Sequence, residues 1–248
     1  MPEPRPLGKA PIVEAIVDLR VQARTDLQAD EFAGLQDILG DRFPNVEKRI
    51  GGNVTIVFGP SGPKMPLVEE LGLQGYLFRS DDAKLIAQFR VDGFTLNRLR
   101  PYTSWKELLP VAMELWEQYC AVAKPRSVTR LALRYINRIQ LPADLTWFGE
   151  YLRAPPVVPR ELPQNIGAFF SRVTIHDPTK GVSAHILQTL EANPEEPGPT
   201  LLLDIDTFHD DSLEPGDSAI ASLLGELHDF KNLIFFEYLT ENTLRRLA

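Results

Sequence analysis

The sequence predicts an α+β protein of two tandem repeats, residues 1–124 and 125–248. Each runs strand, short helix, three or four strands, long helix, and together they form a pseudo-twofold antiparallel sheet backed by two long helices. Three observations carry this expectation. Two strongly alternating segments, 11–22 and 129–140, share the parity of their apolar face, and Arg20-Val21-Gln22 is echoed by Arg138-Ile139-Gln140. Each is followed by apolar residues at short-helix spacing, Phe32, Leu35 and Leu39 in the first and Leu145, Phe148 and Leu152 in the second. Each repeat then approaches its long helix through an Asp placed two residues before a Phe, Asp92 before Phe94 and Asp206 before Phe208.

Taken in order, Val13, Ala15, Val17, Leu19 and Val21 line one side of the first strand, with Glu14, Asp18 and Arg20 on the other. Thr25 and Gln28 stand in capping-box register for the short helix. Segments 46–50 and 54–58 flank Gly51-Gly52 as a hairpin, and a Pro- and Gly-rich loop at 59–66 leads to strands at 73–79 and 84–92. Ser104 and Glu107 cap a helix whose Trp105, Leu108, Ala112, Leu115, Trp116 and Tyr119 recur at helical spacing up to Pro125. In the second repeat, strands at 168–177, 182–191 and 201–206 precede one final helix over 218–247; the turn-rich stretch 193–199 joins the last two strands. Four strands and one amphipathic helix leave exposed edges, so the repeats are expected to form one cooperative unit. The element order resembles the TATA-binding-protein fold and, less closely, helix-grip domains; fold analogy transfers no activity.

Composition narrows the functional classes. At 248 residues, 44% hydrophobic and 24% charged, the chain is an ordinary globular protein. The net charge of −8 opposes sequence-independent nucleic-acid binding, which depends on Lys and Arg replacing counterions. No run reaches the roughly 18 apolar residues of a membrane span, the N-terminus lacks a signal-peptide core, and a single cysteine, Cys120, forms no internal disulfide. A cytoplasmic location is the expectation.

The chemical motifs are sparse. The stretch 59–65 lacks the Gly-Lys-Ser/Thr ending of a phosphate loop and reads as a turn, and no nucleophile elbow or dinucleotide fingerprint is present. No cofactor is implied. His176, His185, Asp204 and Asp206 fall on neighbouring predicted strands but at no recognised ligand spacing, so no metal site is assigned and they rank only as weak candidates. The stronger feature is the strand at 129–140, which puts Arg130, Arg134 and Arg138 on one face and Leu131, Leu133, Tyr135 and Ile139 on the other. One reading neutralises these arginines with Glu14 and Asp18 of the first strand, with Asp92, Asp204 and Asp206 adding acid. The other makes the face, with Arg20, a basic floor for a carboxylate, a phosphate or an acidic partner segment.

Pro11-Ile12-Val13-Glu14-Ala15, Pro101-Tyr102-Thr103-Ser104-Trp105, Leu133-Arg134-Tyr135-Ile136-Asn137-Arg138-Ile139 and the tail at 235–241 resemble a sporadically distributed, uncharacterised prokaryotic family of about this length. The resemblance spans nearly the whole chain and implies no reaction or catalytic residue. Duplication without catalytic motifs points first to a binding or interaction protein with a protein partner, of immunity, antitoxin or assembly type. A binder of a small anionic ligand, or an enzyme acting on one at the arginine face, comes second, and nucleic-acid binding third.

Overall fold

The computed structural model describes residues 7–55, 58–59, 62–63, 67–191 and 197–248. Parts of the turns expected at 59–66 and 193–199, and the N-terminal residues 1–6, lie outside the described residues.

Among the described residues, nine strands form one antiparallel sheet. They are β1 (Ile12–Gln22), β2 (Asn45–Thr55), β5 (Leu67–Arg79), β6 (Leu85–Arg90), β7 (Gly93–Leu99), β8 (Ser127–Gln140), β9 (Phe170–Asp177), β10 (Val182–Glu191) and β11 (Thr200–His209). A separate two-strand pair, β3 (Phe58–Gly59) with β4 (Gly62–Pro63), lies beside them in sequence. The order across the sheet is β2-β5-β6-β7-β1-β8-β11-β10-β9, so β1 and β8 are central neighbours. The α-helices are α1 (Leu35–Leu39), α2 (Trp105–Ala123), α3 (Ala219–Tyr238) and α4 (Glu241–Arg246).

The chain is α+β, but the predicted architecture is corrected. The fold is a nine-stranded sheet with four separate helices, and it is not two equivalent repeats backed by two long helices; the TATA-binding-protein-like and helix-grip-like orders do not carry over. The reason is geometric. Nine strands about 4.8 Å apart span roughly 40 Å, whereas two helices about 10 Å across cover only about half of that. The rest is filled by irregular elements: a 3-10 turn at Ala29–Gly34 leading into α1 on one side, and Phe148, Tyr151 and Leu152 around a three-residue 3-10 turn on the other.

Local corrections have equally local causes. Gly51-Gly52 does not turn; β2 runs through it with bulges opposite β5. The helical start is held at Gln28, whose amide donates to Glu31 Oε1 at 2.9 Å, three residues later than the Thr25 register. The predicted final helix breaks at Leu239, and Thr240 caps α4 by accepting from the Thr243 amide. β7 is missing from the sequence expectation although Phe94 and Leu96 alternate with Thr95 and Asn97; in the fold the polar pair is buried as well as the apolar one. By contrast α2 starts at Trp105 with Ser104 accepting from the Glu107 amide, as the sequence predicts.

The apolar side of β1 and β8 faces the helices. Ala15, Val17, Leu19, Leu131, Leu133 and Tyr135 are nearly inaccessible and join Phe94, Trp116, Tyr119, Leu224 and Leu227 in one core cluster. A second cluster gathers Ile139, Ile186, Leu203, Ile205, Phe235 and Leu244, and Phe230 touches both. Burying a large aliphatic or aromatic side chain contributes about 1.5–3 kcal/mol. This side therefore supplies most of the stability, and the opposite face is left to polar residues.

Candidate functional site

On that opposite, open face the registers align three polar rows. Asp18 of β1 sits opposite Thr95 of β7 and Ala132 of β8, Arg20 opposite Arg130, Arg134 opposite Asp206, and Asp206 opposite His185. Strict alternation in β1, β8 and β11 places these groups together.

At the centre the charges are paired. Arg134 donates to both carboxylate oxygens of Asp204, at 2.8 and 2.5 Å. Arg130 donates to Asp206 at 2.8 Å and stacks its guanidinium 4.6 Å from the Phe208 ring centroid. Arg20 bridges Asp18 and Asp92, each at 2.9 Å. Arg90, only 4% exposed, donates to Asp92 at 2.8 Å, to Asp18 at 3.3 Å and to the Thr95 hydroxyl. Thr95 in turn donates to Asp18 at 2.6 Å. Burial alone would raise the Asp18 carboxyl, but the Thr95 hydroxyl with Arg20 and Arg90 holds it below the usual carboxylate range. Burial wins at Asp206, whose carboxyl is raised despite Arg130. A depression of about 510 Å³ lies over these groups, with Ile16 and Ala132 among its lining.

Of the acids the sequence offered as counter-charges, Asp18 lies only at the edge of Arg130's reach, at 3.9 Å, and Glu14 instead accepts from Asn97 at 2.6 Å. The partners are mainly Asp204 and Asp206 of β11. The metal candidates are also occupied. His185 shares a 2.9 Å hydrogen bond with Thr174 and His176 one of 2.8 Å with Ser183, while Asp204 and Asp206 serve the arginines. Among the described residues no three metal-ligating side chains converge. Cys120 lies in α2, and burial pushes its thiol up to about 12, away from nucleophilic use at neutral pH.

Arg138, at the end of β8, differs from its two neighbours. Its Nε stands 2.9 Å from Glu191 Oε2, but the N–H is not aligned for a hydrogen bond, so the buried Nε has no hydrogen-bond partner. It lines a cleft of about 490 Å³ together with Lys9, Arg100 and Arg246, and among the described residues no carboxylate lines this cleft. Backbone hydrogen bonds fix its walls: Lys9 donates to Leu247 O at 2.9 Å, Arg100 to Val13 O at 3.2 Å and Arg138 to Pro11 O at 2.9 Å. The N-terminal segment is thereby clamped between the ends of β8 and α4. The side chains of Lys9, Arg100 and Arg246 make no ion pair among the described residues.

Sequence reasoning missed Lys9, Arg100 and Arg246, which lie far apart along the chain with no local pattern to join them. It also missed Thr95 and Asn97, although Phe94 and Leu96 alternate with them. No helix among the described residues is long and apolar enough to cross a membrane. No protein-family model matches the sequence, and no curated protein matches it.

Proposed function

We propose that the chain is a binding protein that receives an anionic group in the cleft at the Arg138 end of the arginine strand. The observation that supports this is the gathering of Lys9, Arg100, Arg138 and Arg246 around one cleft with no lining carboxylate among the described residues, in a chain of net charge −8. Arg138 has Glu191 at 2.9 Å, but Lys9, Arg100 and Arg246 have no ion pair among the described residues; like charges gathered this way are costly, and a bound carboxylate or phosphate offsets that cost while using the planar donors of arginine. Further along the same strand Arg130 and Arg134 already have their acids, Asp206 and Asp204, which makes them framework for the site.

The anion has two sources. One is a small free ligand, and the other is an acidic segment of a protein partner, as an immunity, antitoxin or assembly protein would meet. The reading also takes the chain as a member of the prokaryotic family that its central strand resembles. Calorimetric titration with inorganic phosphate and with a penta-glutamate peptide separates the sources. Wild-type protein should bind one of the two, and Arg100→Ala with Arg246→Ala together should weaken that binding at least tenfold. Equal affinity in the double variant, or no binding of either probe at millimolar concentration, overturns the proposal.

A further inference from the structure

Lys231 occupies a core position on α3. The helix buries Leu224, Leu227, Lys231, Ile234 and Phe235 along one stripe, and Lys231 is only 6% exposed. Its Nζ lies 3.9 Å from the centroid of the Tyr135 ring and donates to Asn232 Oδ1 at 2.6 Å. Among the described residues it has no salt bridge; the charged and titratable groups around it are Asp229 and His228 on α3, Tyr135 on β8 and Tyr102 ahead of α2. A cation–π contact offsets only a fraction of the cost of taking an ammonium out of water.

Lys231 also lines a cavity of about 380 Å³, separate from the paired centre of the open face, whose walls include Ile12, Tyr102, Trp105, Phe235 and Phe236. His228 lies flat against Trp105, with centroids 4.9 Å apart and planes 7° apart. Burial and the nearby Lys231 pull its imidazole down to about 4, so it is neutral at pH 7 and does not compete as a cation. The amides of Asn137 and Asn232 also line the space. A mostly apolar cavity with one buried cation and a few amides has the composition of a small-molecule site, and its volume is near the lower end of that class.

We propose that this cavity binds a small, largely apolar monocarboxylate, whose carboxylate pairs with Lys231 while its body packs on Trp105, Phe235 and Phe236. The ligand supplies the counter-charge that the described residues do not. Burial draws the Lys231 ammonium down to about 7. Binding an anion at pH 8 should therefore return a proton to the amine and show as proton uptake.

The test titrates the full chain with 3-phenylpropionate at pH 8 in two buffers of different ionisation enthalpy, alongside the neutral isostere 3-phenylpropanamide and the Lys231→Met variant. Expected are proton uptake approaching one per ligand, affinity at least thirtyfold above that of the amide, and a comparable loss in the variant. Arg246→Ala should leave this binding unchanged, which distinguishes the cavity from the basic cleft. No binding of the acid by wild type, acid and amide binding alike, or absence of proton uptake would each overturn the proposal. The acid-against-amide comparison uses wild-type protein and so decides the matter even if Lys231→Met fails to fold.

Discussion

Replacing Arg134 by Ala removes the only salt-bridge partner of Asp204 among the described residues, a carboxylate whose side chain is 8% exposed and which lies opposite Ile136 and Leu187 in the registers of β8 and β10. Breaking a fully buried pair costs about 3–5 kcal/mol, because the surviving charge stays in a poor solvent. An exposed pair contributes only about 0.2–1 kcal/mol. Arg134 itself is 45% exposed, so water entering the vacated space partly hydrates Asp204 and the expected loss falls between these limits, about 2–3 kcal/mol. At about 2–4 °C per kcal/mol for a chain of this size, the melting temperature should drop by about 5–10 °C. Urea unfolding should show a lowered midpoint with an unchanged slope. Asp204→Leu added to Arg134→Ala should recover most of the loss, since a pair replaced by apolar groups is nearly neutral. Loss below about 0.5 kcal/mol in the single variant, or no recovery in the double, would refute the claim that this pair holds β8 to β11.

Asp18→Asn tests the linkage on the same face. The Asp18 carboxyl is held below its ordinary value of 3.8, so its contribution is present above that pH and lost as the pH falls through the folded value. The variant should therefore be less stable at neutral pH and show a flatter acid limb in pH-dependent melts; an unchanged limb contradicts the Thr95–Arg20–Arg90 account. Gly93 begins β7 at a φ of +154°, where an added Cβ would meet Leu19 O at 2.2 Å, so Gly93→Ala should lower stability by about 3 kcal/mol or more, and an unchanged thermal melt would exclude this. Fragments 1–124 and 125–248 expressed apart should be insoluble or molten, because β1 pairs with β8 along nearly its whole length and the larger core draws on both; two well-dispersed NMR spectra would contradict it. Duplex DNA should not bind measurably in a gel shift at physiological salt, since the central arginines are engaged and the net charge is −8; tight, salt-sensitive binding would reverse that conclusion.

Strand parity was legible wherever an apolar and a polar residue alternate, which is why β1, β8 and β10 fall where the sequence places them. The same alternation is present in β7, Phe94 and Leu96 against Thr95 and Asn97, although the sequence expectation omits this strand; its polar pair is also buried because Arg90, Asp18 and Glu14 cover it with hydrogen bonds. Glycines misled for a related reason: Gly51-Gly52 has the composition of a turn, but pairing with β5 holds it as a bulged strand. Comparing halves overstated their equivalence. Similar apolar spacing at 32–39 and 145–152 ends in a 3-10 turn with a short α-helix in one case and a three-residue turn in the other, since packing settles what spacing alone does not.

The arginine strand shows where reading a site from one strand stops working. Alternation correctly groups Arg130, Arg134 and Arg138 on one face, but their net electrostatic effect depends on strands more than 50 residues downstream in sequence. β11 brings Asp204 and Asp206 beside the first two, so a triad that looked basic becomes locally neutral at its centre. At its end, where Arg138 meets the segment before β1, the residue after β7 and the last turn of α4, positive charge accumulates with no lining acid among the described residues. Lys231 presents the opposite case, since its place in the series Leu224, Leu227, Lys231, Ile234 is visible in the sequence as a cation on an apolar stripe. A stripe lysine is easily taken for a boundary residue whose amine reaches water. Its burial beneath Tyr135 and beside a cavity makes the same periodicity point to a site, and that distinction required knowing which strand the helix packs against.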